Sequence, residues 1–217
     1  MESTDVFEAI SSGDVERLRT LVATDAGMAG ARNEQGVSAL LMTLYHRRND
    51  MTEVLLDAGA PVDVFEAAAL GRTDRVRELI TQDFSLSEAR SADGFTALHL
   101  SAFFGHPKTS RLLVEQGADV ATVSLNDTAV QPLHSAAASG SAEIVTLLLE
   151  AGAPANARQQ GGFTALHAAA MQNSTEMARV LLDHGADLAL CADDGQDASA
   201  MAASKGHEEM VTLLSER

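Results

Sequence analysis

The chain is expected to fold as an all-α solenoid of about seven helix-turn-helix units joined by short β-hairpin loops. Three observations lead there. The string Gly94-Phe-Thr-Ala-Leu-His99 returns as Gly162-Phe-Thr-Ala-Leu-His167, with Gln131-Pro-Leu-His134 between them. A turn residue recurs along the whole chain at Gly13, Arg47, Gly71, Gly105, Gly140, Asn173 and Gly206, at intervals of 34, 24, 34, 35, 33 and 33. Finally, 46% of residues are hydrophobic but only 4% aromatic, without Trp, so Ala and Leu must fill the core. Such small filling suits short, closely approaching helices better than a sandwich or barrel.

Within each unit the first helix is short and Ala-rich, as in Ala136-Ala-Ala138 and Ala168-Ala-Ala170. The second carries a Leu run, such as Leu112-Leu113, Leu147-Leu148-Leu149 or Leu181-Leu182, and closes on Gly-Ala at Gly117, Gly152 and Gly185. Glycine there accepts the left-handed backbone that ends a helix. Glu16, Asp74, Glu143, Glu176 and Glu209 fall in the first turns of second helices, where they complement the positive end of the helix dipole. Pro107 sits where a missing amide donor costs nothing, and Asp93-Gly94 and Asp194-Gly195 are turn dipeptides for hairpin tips. The units run approximately 1–32, 33–60, 61–90, 91–120, 121–154, 155–187 and 188–217, one domain over residues 1–217. Asp197-Ala-Ser-Ala200 replaces the usual opening in the last unit and reads as a C-terminal cap, while Ser3, Thr4 and Asp5 open the first helix.

The interval of 24 needs its own account. Asp5-Val-Phe-Glu-Ala9 recurs unchanged as Asp63-Val-Phe-Glu-Ala67, 58 residues later, and Leu40 and Gly59 have counterparts at Leu98 and Gly117. The first two units and the next two therefore read as a duplicated pair. No hairpin is expected near Ala60 to Asp63, and the stack should be irregular there. The tip from Ser124 to Val130 should project beyond its neighbours.

These residues resemble the ankyrin repeat, with its Gly-x-Thr-Pro-Leu-His opening, Gly-His turn, Leu-rich second helix and Gly-Ala-Asp close; its period is about 33. Ala97 and Ala165 stand where the family has Pro. The resemblance implies a fold that binds other proteins through hairpin tips and the exposed ends of the first helices. It also implies that His99, His134 and His167 bond the backbone of the neighbouring hairpin. On its register the partner-binding candidates are Tyr45, His46, Phe95, Phe103, Phe104, Asp127, Phe163, Met171 and Gln172. Phe7 and Phe65 take the His position of their units and are assigned to the core, and Phe84 to a loop. Aromatics on a polar surface are typical binding anchors; Phe103 and Phe104 could equally pack between neighbouring first helices.

Charge narrows the function classes. With 31 acidic against 15 basic residues the formal charge is -16, a field that repels nucleic acid and anionic lipid. It suits solubility or a basic partner. No stretch reaches the roughly 18 apolar residues of a membrane helix, and the start carries no signal-peptide pattern. Cys191 is the one cysteine, which favours a reducing compartment. A cytoplasmic protein, most simply a monomer, is expected. No nucleophile elbow or phosphate loop appears, and equivalent histidines lie one helix-packing distance of about 8–10 Å apart, too far for a shared metal. No cofactor, metal or catalytic residue is assigned. The expected function is a protein-binding adaptor, inhibitor or stress-related scaffold, with self-association as the alternative. Phe95, Phe103 and Phe104 on one side and Phe163 and Met171 on the other should wall a trough roughly 20 Å wide over Ala138 and Ser139. Its acidic tips would favour a partner with a basic or amphipathic helical segment.

Overall fold

A computed structural model describes residues 3–216, so the terminal positions 1, 2 and 217 lie outside it. Two layers of helices run side by side. The inner layer holds α1 (Ser3–Ser12), α3 (Ala39–Tyr45), α5 (Val64–Ala69), α7 (Ala97–Phe103), α9 (Pro132–Ser139), α11 (Ala165–Met171) and α13 (Ala198–Ser204). The outer layer holds α2 (Val15–Thr24), α4 (Asn49–Asp57), α6 (Thr73–Gln82), α8 (Pro107–Glu115), α10 (Ala142–Glu150), α12 (Thr175–Asp183) and α14 (Glu208–Ser215). Each inner helix and the outer helix that follows it make one unit.

Every expected inter-helix turn is present. Gly13, Gly71, Gly105, Gly140 and Gly206 have positive φ, and so do Arg47 (54°) and Asn173 (55°), which shows that the turn demands a left-handed residue even where the sequence offers no glycine. The inner layer is buried through Ala and Leu: Ala67, Ala68, Leu98, Ala102, Ala136, Ala137, Ala169 and Ala170 are all inaccessible to solvent. Hydroxyl pairs add to this packing, with Ser101 against Ser110 at 2.9 Å and Thr43 against Thr52 at 2.9 Å. These bonds satisfy side chains that could not otherwise be buried cheaply.

Residues 25–38, 83–96, 116–131, 151–164 and 184–197 connect successive units, each carrying a hairpin, but only residues 58–63 connect α4 to α5. The hairpins are tighter than strands: among the described residues the bridges Arg32–Ser38 and Cys191–Asp197 are isolated ones. Four loops close with an N–H to carbonyl bond four residues apart, as from Ser91 to Phe95. The fifth closes from Ser124 to Val130 and is two residues longer. Its extra residues leave Leu125, Asp127 and Thr128 exposed.

The hairpins form a row. Leu125 N–H donates to the Gly94 carbonyl (3.0 Å), Gln160 N–H to that of Thr128 (3.0 Å), and Asp193 N–H to that of Gly161 (2.9 Å). Because the third unit contributes no hairpin, the loop of the second lies directly against that of the fourth: a Cβ placed on Gly36 would stand 3.2 Å from that of Ala92. The helix layers are correspondingly loose at this joint. The contact of α3 with α5 is the thinnest in the inner layer, and α4 scarcely touches α6. The buried apolar residues divide at the same place, one cluster running from Val6 to Ala60 and the other from Val37 to Leu214.

One sequence expectation is corrected here. Phe7 and Phe65 are partly buried and pack against the core as expected, but Phe65 is not the counterpart of His99. The helix α5 is one residue shorter at its start than α7 when both are aligned on their turns, so the third position after the cap is Glu66. It forms a capping box with Asp63, as His99 does with Thr96. Glu66 is buried, 1% exposed, and accepts from Ser38 Oγ at 2.7 Å and from Asp63 N–H at 3.2 Å. Burial and the neighbouring Asp63 push its carboxyl up to about 7. Burial works on Asp63 in the same sense, but hydrogen bonds from Glu66 and from the N–H groups of Phe65 and Glu66, with Arg32 nearby, hold it below its ordinary value.

Candidate interaction surface

The ends of the inner helices and the hairpin row line one face, which is hollowed between them, and its side chains are held by the repeat itself. In each of three units the first-helix histidine accepts at Nδ1 from the N–H of its own cap residue: Thr96 (3.3 Å), Gln131 (3.0 Å) and Thr164 (3.1 Å). That fixes the proton on Nε2, which donates to a carbonyl of the next connection: His99 to Val130 (3.1 Å), His134 to Ala157 (3.0 Å) and His167 to Gln196 (3.3 Å). Burial lowers all three pKa values, that of His99 to about 4. The imidazoles are neutral braces between units. Among the described residues no three His, Cys, Asp or Glu side chains are grouped so that they could hold a metal ion.

The turn residues brace in the other direction. His106 donates to the Ala69 carbonyl (2.8 Å) and Gln172 to that of Ala137 (2.8 Å), while His207 Nδ1 lies 2.9 Å from the Ala170 carbonyl. Gln172, a partner-binding candidate, thus has its amide nitrogen engaged within the array, although its side chain is exposed.

Tyr45 is the candidate whose setting the sequence does not reveal. It ends α3 in the second unit, yet its hydroxyl donates to Asp93 Oδ2 (2.7 Å) on the hairpin of the fourth. Its ring lies 5.6 Å from Phe104 and 6.4 Å from Phe103, and those two stand edge to face at 5.2 Å. This reach past a whole unit is open because no hairpin stands between. Burial, then Asp93, raises the phenol's pKa, so it remains a donor. Phe104 is half buried against Tyr45, whereas Phe103 keeps 44% of its surface exposed. The two readings of this pair therefore divide between its members: Phe104 packs, Phe103 faces outward. His46 is exposed beside Tyr45.

Further along, Met171 is 44% exposed, and Phe163 is half buried with its ring 5.9 Å from His167. The face is indented along its length. It carries a hollow bounded by Tyr45, Phe95, Phe103, Val130 and Ala138, a smaller one bounded by Ala138, Phe163 and Met171, and a third bounded by Met171, Met201 and Lys205. Gln159 lines the first and second, and Phe163 the second and third. Sequence reasoning passed over Leu125, which is 74% exposed on the long tip. The two-residue insertion there was the available signal. Phe84, 63% exposed, lies in a 3-10 turn after α6.

Comparison with known proteins returns the same repeat. The family of ankyrin repeats (three copies) matches residues 64–159 and 133–217. An ankyrin repeat protein of fowlpox virus is 27% identical over 166 residues, 72% of this chain and 37% of its own length. The B-cell lymphoma 3 protein homolog of Mus musculus is 29% identical over 165 residues, 76% of this chain and 32% of its own. The ankyrin repeat and SAM domain-containing protein 6 of Danio rerio is 34% identical over 98 residues, 41% of this chain and 13% of its own. The chain thus spans little more than a third, or less, of these relatives.

Proposed function

Because this chain belongs to the ankyrin repeat family, we propose that it captures another protein on its concave face, through Tyr45, His46, Phe95, Phe103, Asp127, Phe163, Met171 and Gln172. Phe104 serves by supporting Tyr45. The ankyrin repeat is a non-catalytic interaction fold, and proteins built from it bind other proteins. The single observation that carries the reading is the row of partly exposed apolar side chains on this face: Phe103 and Met171 keep 44% of their surfaces in water. Apolar side chains left exposed along one face, aromatic ones above all, are typical anchors for a partner.

No helix among the described residues is long and apolar enough to cross a membrane. The formal charge of -16 supports a partner with basic residues beside an apolar stripe, such as an amphipathic helix, and disfavours nucleic acid. The working picture is a monomeric array, residues 1–217 as one domain, acting in the cytoplasm as adaptor, inhibitor or stress-related scaffold.

The test compares affinity capture by three tagged proteins: the wild type, Phe103→Ser with Met171→Ser, and Phe84→Ser away from the face, after checking that all melt alike. Partners held by the wild type and by Phe84→Ser, but lost from the double variant, support the reading. Partners retained by the double variant and lost from Phe84→Ser place the site on the other side.

A further inference from the structure

We propose that the hollow between the fourth and fifth units is an anchor site for one aromatic or leucine-sized side chain of the partner, flanked by a lysine or arginine. This rests on the reading of the concave face as the binding side and names the chemistry that side selects.

The hollow has a volume of about 270 Å³, with Tyr45, Phe95, Leu100, Phe103, Val130 and Ala138 among its walls. A dry apolar cavity of about 150 Å³ suffices for a benzene ring, so there is room for one large side chain and not for a helix. Three of the polar groups that line it are already engaged. His99 and His134 donate to the Val130 and Ala157 carbonyls, and Tyr45 donates to Asp93. A charge pushed to the bottom would lose its water and find no partner, a cost of several kcal/mol or more. The depth of the hollow therefore selects an apolar group.

The lip selects a cation. Asp93 receives its side-chain hydrogen bonds from two neutral hydroxyls, those of Tyr45 and Ser91, which leave its charge uncompensated. Asp127 is exposed and adjoins Thr128, another wall residue. Among the described residues neither carboxylate takes part in an ion pair. Arg90, the cation of these two tips, spends its guanidinium on the Gly94 and Val123 carbonyls. An incoming ammonium or guanidinium at the Tyr45 wall would come near the Asp93 carboxylate that this hydroxyl holds and near the aromatic rings of Tyr45 and Phe103, both favourable.

The site is also built before anything arrives. Tyr45 is fixed by its bond to Asp93 and by Phe104 beneath it, and Phe95 lies 5.8 Å from the His99 ring. A wall already in its bound position forfeits little entropy on binding.

The experiment uses three capped dipeptides as probes, Phe-Lys, Phe-Glu and Ala-Lys, titrated into the full chain with amide NMR shifts as the readout. Phe-Lys should shift the amides around Phe103, Val130 and Ala138 and bind about fivefold tighter than Phe-Glu, an advantage that added salt erodes. Ala-Lys should leave those amides still. Ala138→Leu, which fills the hollow from an exposed position, should abolish the Phe-Lys shifts, while Ala168→Leu in the next hollow should not. Phe103→Ala, with melting checked, gives a second route to the same loss. Equal binding of Phe-Lys and Phe-Glu overturns the lip, and shifts surviving in Ala138→Leu overturn the hollow. If no probe shifts these amides the anchor is refuted, while the concave-face reading is judged separately by the capture experiment.

Discussion

Glu66→Gln isolates a buried carboxyl at the loosest joint of the array. The amide has the shape of the protonated acid. It can accept from the Asp63 N–H and donate toward Ser38 Oγ or the Asp63 carboxylate, so the network of the protonated state survives. Glu66 titrates at about 7 in the folded chain against 4.5 as its ordinary value. A folded-state pKa raised in this way contributes stability that is complete below the unfolded value and is lost as pH rises through the folded one. The relevant window therefore runs from about pH 4.5 to above pH 7. The full shift corresponds to roughly 3 kcal/mol, at 1.36 kcal/mol per unit; the amide's imperfect fit reduces this to about 1–3 kcal/mol. For a chain of this length that is roughly 3–10 °C in melting temperature. The assay is helical circular dichroism on heating, for wild type and variant, at half-unit steps from pH 4.5 to 8.5. The variant should match the wild type at the acid end and melt higher at the alkaline end. Two curves that stay parallel across the range would falsify the assignment of a neutral Glu66 at this joint.

Three further outcomes are expected. His99 titrates at about 4 in the fold, below its ordinary 6.5; its stabilising effect is present above 6.5 and fades as pH falls, so His99→Gln should spare about 2 kcal/mol of the loss between pH 6.5 and 5 in urea titrations, and an unchanged loss would count against a buried neutral imidazole. Gly94→Ala should destabilise more than Gly59→Ala: both have positive φ, costing about 1–2 kcal/mol, but at Gly94 the new Cβ would also stand 2.9 Å from the Leu125 backbone, while Gly59 has open space. Equal melting temperatures would show that the hairpin row yields freely. In hydrogen exchange the helices α1 to α4 should lose protection before α7 to α11, because their cluster meets the rest across the thin joint at α3 and α5; uniform protection would mean that the joint transmits stability as well as any other.

The turns were legible because each demands a left-handed residue, and that demand survives even where Arg47 and Asn173 occupy the position. The missing hairpin after α4 could be read from the short interval. What escaped was anything set by register at a helix start. Counting back from Gly71 points to Phe65, because the shorter α5 cannot be foreseen; the spacing Asp63-x-x-Glu66 was the signal for the cap that the structure contains. Tyr45 escaped for a different reason. Repeat logic links nearest neighbours, and its bond to Asp93 crosses from the second unit to the fourth. The aromatic positions on the concave face were visible in the sequence, but not their division into outward-facing Phe103 and supporting Phe104, which depends on where the Tyr45 ring lands.

In the helix layers α5 and α6 stand between the second unit and the fourth. On the tip side Gly36 and Ala92 touch. A wall with one course of bricks missing from a single face must turn a corner there. A straight rod laid against the inside of the corner can follow only one arm, and the longer arm has four units, from α7 to α14. At about 10 Å each that is roughly 40 Å of straight run, the length of a helix of about 27 residues. A longer rigid ligand would lift off at Tyr45, and only a jointed one could go on to α1.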